Sequence, residues 1–141
     1  MRRLSFVFVL LSIILVTNAA YAQEAFLIDG TKWLALDKPS KVFYLAGYLK
    51  GAYRGILVGL RDIDCINHQE IADLGKSKYR DFVGKGNLQA LLDEIDNVYR
   101  DKKNLAIEAD QVIVFGLTKI KGNMSKQKQE VWLDLLRTMN Q

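Results

Sequence analysis

The chain contains 141 residues, half of them hydrophobic and 26% charged, and its formal net charge is +4. The mixed charges exclude a disordered acidic or basic tail, and the length and apolar share predict one packed domain. A single cysteine excludes an internal disulfide framework, and the scattered lysines lack the clustering of a nucleic-acid-binding surface.

The N terminus has the layout of a secretory signal peptide. A Met-Arg-Arg start precedes the almost wholly apolar residues 4–16, and Ala20 and Ala22 stand at the −3 and −1 positions of a cleavage site. An uncleaved anchor is the alternative, although the apolar run is shorter than the roughly 20 residues that span a bilayer as a helix. We therefore predict that residues 1–22 are removed on export, to a periplasm or out of the cell. Residues 23–141 would then form one soluble domain without a stable membrane span.

A short helical turn is expected at the start of this domain. Asp29 or Thr31 is placed to cap it, and Trp33 and Leu36 supply its apolar side chains. Pro39 follows, and it suits the first turn of a longer helix because its missing N–H would have no partner there.

Residues 40–62 are predicted to form one long helix. At about 100° per residue, its apolar side chains cluster on one side at helical period. They are Val42, Leu45, Leu49, Ala52, Tyr53, Ile56 and Leu60. A second non-polar side lies opposite, and only a thin charged strip separates the two. A helix with two non-polar faces is typical of the middle of a bundle, so we expect this helix to be central.

Four glycines spaced four apart lie on that second side. They are Gly47, Gly51, Gly55 and Gly59, and Tyr44, Tyr48 and Val58 lie among them. Each costs about 0.5–1 kcal/mol relative to alanine in a helix interior, so close packing is expected to offset the cost. The favoured interpretation is a neighbouring helix of the same chain on the glycines; a docked partner or second copy, and a membrane helix, are the alternatives. Charged side chains at Lys50 and Arg54 disfavour the membrane helix.

The same helix carries the candidate docking surface for a partner protein. Its residues are Tyr44, Gly47, Tyr48, Lys50, Gly51, Arg54 and Gly55. The cationic strip of Lys50, Arg54 and Arg61 could hold an acidic surface; the alternative is a solvent-facing stripe that keeps the helix soluble.

Residues 63–86 form the least regular part of the sequence. Residues 69–74 could form a short helix that Gly75 ends, and residues 84–86 (Gly-Lys-Gly) are expected to be a hinge or turn. No phosphate-binding motif surrounds these glycines.

An amphipathic helix is predicted over residues 88–100, with Asn87 as its cap. Its apolar stripe consists of Leu88, Leu91, Leu92, Ile95, Val98 and Tyr99. A short polar turn at residues 101–104 implies that the next element packs antiparallel to this helix.

Two more helices complete the prediction. Residues 107–121 are expected to be helical, with a strand at residues 112–115 as the alternative because that run is rich in β-branched residues. Gly122 is placed as a stop and Ser125 as the cap of the last helix. The last helix carries Val131, Trp132, Leu135, Leu136 and Met139.

Few residues offer chemistry, and none receives a catalytic, cofactor-binding or metal-binding role. Cys65 and His68 have zinc-ligand spacing, but a structural zinc needs four N or S ligands, and a nucleophile pair needs a third, orienting group. We expect His68 in a surface loop and Cys65 buried, with an intermolecular bridge as the alternative. The carboxylates of Asp62, Asp64, Asp93 and Asp96 are expected on solvated faces, without the apolar pocket that acid–base catalysis needs.

Short stretches of the sequence carry a resemblance. A Trp-Leu pair ahead of residues 44–51 (Tyr-Leu-Ala-Gly-Tyr-Leu-Lys-Gly), together with residues 98–107, is similar to small exported bacterial proteins of unassigned role. More remotely, residues 47–51 (Gly-Tyr-x2-Gly) resemble the Rap1a/Tai group of periplasmic immunity proteins. Those are small helical proteins that neutralise toxins from competing bacteria, so the resemblance implies a helical fold and action by protein binding.

We therefore predict an exported all-α protein: a small bundle of four main helices plus short helical turns. We expect it to act by protein–protein contact, in an immunity-like or chaperone-like role, and not as an enzyme. A homodimer is possible. The alternative function is binding of a small apolar ligand or lipid between the helices.

Overall fold

The computed structural model describes residues 28–61, 67–84, 87–122 and 124–141. The predicted signal peptide lies outside these residues. The helices, in chain order, are α1 (Gly30–Ala35), α2 (Lys38–Arg61), α3 (His68–Val83), α4 (Leu88–Arg100), α5 (Ala109–Ile120) and α6 (Lys126–Met139). A 3₁₀ turn, Lys102–Asn104, joins α4 to α5. The predicted all-α class is confirmed for the described residues.

The N-terminal segment is tied to the connection between α4 and α5. Asp29 caps α1 by accepting a hydrogen bond from Lys32 N at 2.8 Å, as one of the two predicted caps. Ala109 N donates a hydrogen bond to Ile28 O at 2.7 Å, and Gly30 N donates one to Leu105 O at 2.9 Å. These bonds seat α1, and with it Trp33, on the core.

Helices α4 and α5 supply most of the core. The predicted stripe of α4 is confirmed, since every member is buried except the half-buried Leu88. α5 is helical throughout, so the strand alternative is wrong, and it buries Val112, Ile113, Phe115 and Leu117. The centre of the fold is therefore this pair of helices.

The long helix α2 has almost the predicted bounds but not the predicted position. It buries only Leu45 and Leu60, and the other apolar residues of its predicted face are half-buried. One side of α2 packs on α3, and its first half reaches α4. The prediction that α2 lies in the middle of the bundle is wrong, because the four glycines of its second non-polar side have no neighbour among the described residues.

A single long helix, α3, replaces the predicted short one. Asn67 and Glu70 form a reciprocal capping box at its start. The helix continues through Gly75, which is buried because the Leu57 side chain of α2 packs against it. It ends instead at Val83, and the following Gly84 has a φ of 73°, a conformation that side-chain-bearing residues rarely adopt. The expected stop at Gly75 is therefore wrong, and the turn prediction holds at Gly84.

Local caps and stops lie at the predicted positions in the remaining helices. Asn87 accepts from Ala90 N at 2.7 Å at the start of α4, and Ser125 accepts from Lys128 N at 3.4 Å at the start of α6. Gly122, with a φ of 76°, follows the end of α5. The observed limits of α4 and α5 and the start of α6 lie within about two residues of the prediction.

A buried asparagine joins α6 to the turn between α4 and α5. Asn104 is 2% exposed, donates through Nδ2 to Val98 O at 2.7 Å and accepts from Arg137 Nε at 2.7 Å. Arg137 also pairs with Asp134 at 2.5 Å. Because the amide both donates and accepts a hydrogen bond, the cost of removing it from water is offset.

Candidate functional site

The glycine face of α2, defined as Gly47, Gly51, Gly55 and Gly59, is open. All four residues are exposed. A Cβ atom built at any of them would have no atom of the described residues within 4 Å outside its own stretch of helix. The favoured interpretation, that a helix of the same chain packs on these glycines, is therefore wrong for the described part of the chain.

Exposed apolar side chains flank the glycine face. Phe43 is 77% exposed one helical turn before Gly47, and Val58 is 58% exposed beside Gly55 and Gly59. The exposed surface of α2 thus carries one exposed apolar side chain near each end of the glycine face.

The charge along α2 is entirely positive. Its 24 residues include no Asp or Glu, and Lys50, Arg54 and Arg61 are all exposed. None of these three cations lies in an ion pair with a described residue. Within the part of the chain that the structure describes, the strip therefore presents positive charge without an ion-pair partner along the edge of the glycine face.

The two tyrosines predicted as docking residues have another role. Tyr44 stacks edge-on against Trp33, with ring centroids 5.9 Å apart, and both Tyr44 and Tyr48 pack on the core while remaining half-buried. Burial raises the pKa of each phenol, and the carboxylate of Asp110 raises both further. Of the seven predicted docking residues, the exposed ones are Gly47, Lys50, Gly51, Arg54 and Gly55.

A second candidate site is a groove between α2 and α3. This α2–α3 groove has a volume of about 690 Å³, and its lining residues are Ala46, Leu49, Lys50, Tyr53, Lys76, Tyr79, Arg80 and Leu88. Tyr53 and Tyr79 meet edge to face across it, with ring centroids 5.2 Å apart. Three of the eight lining residues are cations and none is an acid.

The structure describes only some of the residues that were singled out for chemistry. His68 begins α3 as an exposed residue, and within the described ranges no three His, Cys, Asp or Glu side chains come together as a metal site. Asp93 is exposed, as expected, and accepts from Gln89. Cys65 and the carboxylates at residues 62–64 lie outside the described residues.

Asp96 departs from the prediction of a solvated carboxylate. It accepts from Trp33 Nε1 at 2.7 Å and from Lys41 Nζ at 2.8 Å, and so joins α1 and α2 to α4. Lys41 also lies 5.5 Å from the centroid of the Trp33 ring. These contacts give Asp96 a structural role.

Sequence reasoning missed the α3 side of the groove and an exposed stripe on α6. Tyr79 and Arg80 were not predicted as site residues because residues 76–83 were not assigned to a helix, although the spacing of Ile71, Gly75, Tyr79 and Phe82 is helical.

On α6 the sequence analysis named the apolar residues but not their exposure. The exposed apolar stripe consists of Val131, Leu135 and Met139. Only Leu133 and Leu136 of that helix are buried.

Comparisons of the chain with protein families, with curated proteins and with solved structures give no match. Over the residues that the structure describes, none of the helices combines the length and hydropathy needed to cross a membrane, α2 included. The fold defines a small all-helical protein, and what it binds is inferred from its own surfaces.

Proposed function

We propose that this chain is an exported, non-enzymatic helical protein that acts by binding a partner protein through the glycine face of α2. The observation that carries the proposal is the openness of that face. Four glycines in one helix cost about 2–4 kcal/mol, and no described residue packs on them to offset it. A partner helix could approach the backbone of α2 closely at these four positions, because glycine has no side chain.

The charge of α2 identifies the kind of partner. Lys50, Arg54 and Arg61 border the glycine face, and α2 contains no acid that could pair with them. A second copy of the chain would bring the same cations together, so a homodimer is the weaker candidate. An acidic helix of another protein complements the strip, and the apolar side chains of Phe43 and Val58 would cover its ends.

Export and role complete the proposal. The signal-like residues 1–22 support export with a mature N terminus at Gln23. An immunity-like or chaperone-like role is the most concrete form of the function, since either acts by holding a partner and needs no catalytic residue.

Gly51→Leu tests the docking surface. The variant is expected to fold as the wild type does, because a side chain at Gly51 has open space, and to lose at least nine-tenths of its bound partner. Native extracts of the exported fraction would be passed over both proteins, and retained proteins compared by mass spectrometry. Binding should also weaken as salt rises, because the attraction between exposed charges is screened.

The matched control is Ala35→Leu, which adds the same side chain at an exposed helical position outside α2. It should retain the partner in full. Loss of folding in Gly51→Leu, a retained protein without an acidic helix, or equal loss in the control would each refute the proposal.

A further inference from the structure

We propose that the α2–α3 groove binds a free fatty acid, with the acyl chain along the groove floor and the carboxylate at its cationic rim. This site is separate from the protein-docking face in the proposed function, since none of the four glycines lines the groove. The two proposals share only the side chain of Lys50.

The floor of the groove suits a hydrocarbon chain. Ala46 and Leu49 of α2 and Leu88 at the start of α4 provide aliphatic surface, and the rings of Tyr53 and Tyr79 provide aromatic surface. A volume of about 690 Å³ is that of a small-molecule pocket. The α2 wall from Ala46 to Tyr53 runs for about 10 Å at 1.5 Å per residue, so the groove is elongated along the helix.

The rim of the groove suits a carboxylate. Lys50 lies on α2, and Lys76 and Arg80 lie on α3, so positive charge borders the groove from both helices. Lys76 is 3.8 Å from Asp73, whereas Lys50 and Arg80 form no ion pair with a described residue. An arginine guanidinium can bind a carboxylate through two parallel hydrogen bonds, which makes Arg80 the main anchor.

The combination of floor and rim favours one charged chain over other occupants. A neutral apolar ligand would contact the floor and gain nothing from the cationic rim. Binding to a bilayer surface would need a wide apolar or basic plane on the protein. Here the apolar and the cationic side chains instead line one groove. A single acyl chain with an anionic head uses both features at once.

Isothermal titration calorimetry tests the site. The protein is purified so that it keeps the N terminus that it has in the cell. Octanoate, nonanoate and decanoate should bind with affinity that rises about fourfold per added methylene, which corresponds to about 0.8 kcal/mol for each buried CH₂ group. Decan-1-ol, with the same chain and no charge, should bind at least tenfold more weakly than decanoate.

Variants on the two helices locate the binding. Arg80→Gln should lower the affinity for decanoate at least tenfold, and Ala46→Phe should abolish binding by filling the groove from an exposed helical position. Lys38→Gln removes an exposed α2 cation outside the groove and should leave the affinity unchanged. Unfolding curves that match the wild type would show that the variants are folded.

Four outcomes would overturn the assignment. They are absence of binding, equal affinity for decanoate and decan-1-ol, equal losses in Arg80→Gln and Lys38→Gln, and binding to phosphatidylglycerol vesicles without binding to monomeric decanoate. Because Gly51 does not line the groove, Gly51→Leu should still bind decanoate. Failure of this site and failure of the protein-docking face are therefore distinguishable.

Discussion

Replacing all four residues of the glycine face with alanine is expected to raise the free energy of unfolding by about 2–4 kcal/mol. Each substitution removes backbone freedom from the unfolded chain and improves helix propensity by about 0.5–1 kcal/mol. No added methyl group would meet a described atom, so no steric cost opposes the gain. Urea unfolding followed by circular dichroism measures the change.

Gly30→Ala is the matched control for this quadruple substitution. A Cβ at Gly30 would overlap the Tyr99 ring and lie 2.9 Å from Leu105 Cα, so the variant should lose about 1–3 kcal/mol. A loss of stability in the quadruple variant would mean that the glycines are packed within the monomer, and it would contradict the docking proposal as well.

Trp33→Ala is expected to lower the free energy of unfolding by about 3–5 kcal/mol. Trp33 is fully buried, stacks against Tyr44 and donates through Nε1 to Asp96. The substitution would leave a cavity at the junction of α1, α2 and α4, and Asp96 would lose one of its two described donors. Domains of this size have a total stability of about 5–15 kcal/mol, so a large share of the variant should be unfolded in mild urea.

The neighbouring Leu34, 47% exposed on the same short helix, provides the control. Leu34→Ala should cost less than about 1 kcal/mol, because little apolar surface is buried there. Similar losses in the two variants would contradict the assignment of Trp33 as the anchor of α1.

The prediction of α4 was accurate because its signals are local. An asparagine cap and an apolar stripe at helical period lie within 14 residues of sequence, and both act through contacts between near neighbours in the chain. The same holds for the Ser125 cap of α6 and for the positive φ at Gly122. In contrast, the stop expected at Gly75 failed because a glycine inside a helix can be kept for close packing, and Leu57 supplies that packing from a distant segment.

The candidate surfaces were only partly predictable for the same reason. The cations and glycines of α2 could be placed on one helix from their spacing alone. Whether the glycines face a neighbour could not be predicted from the sequence. Nor could the sequence show that Lys50 lines the same groove as Tyr79 and Arg80, because those two residues belong to α3.

The sequence by itself determined the all-α class, most helix limits and the positive charge of α2, because caps, periodicity and charge are properties of neighbouring residues. Only the tertiary structure decided that α4 and α5 form the centre and that Asp96 is held by Trp33 and Lys41. It also decided that the glycine face lies open. Burial depends on which elements meet across long stretches of chain, and no local pattern specifies that.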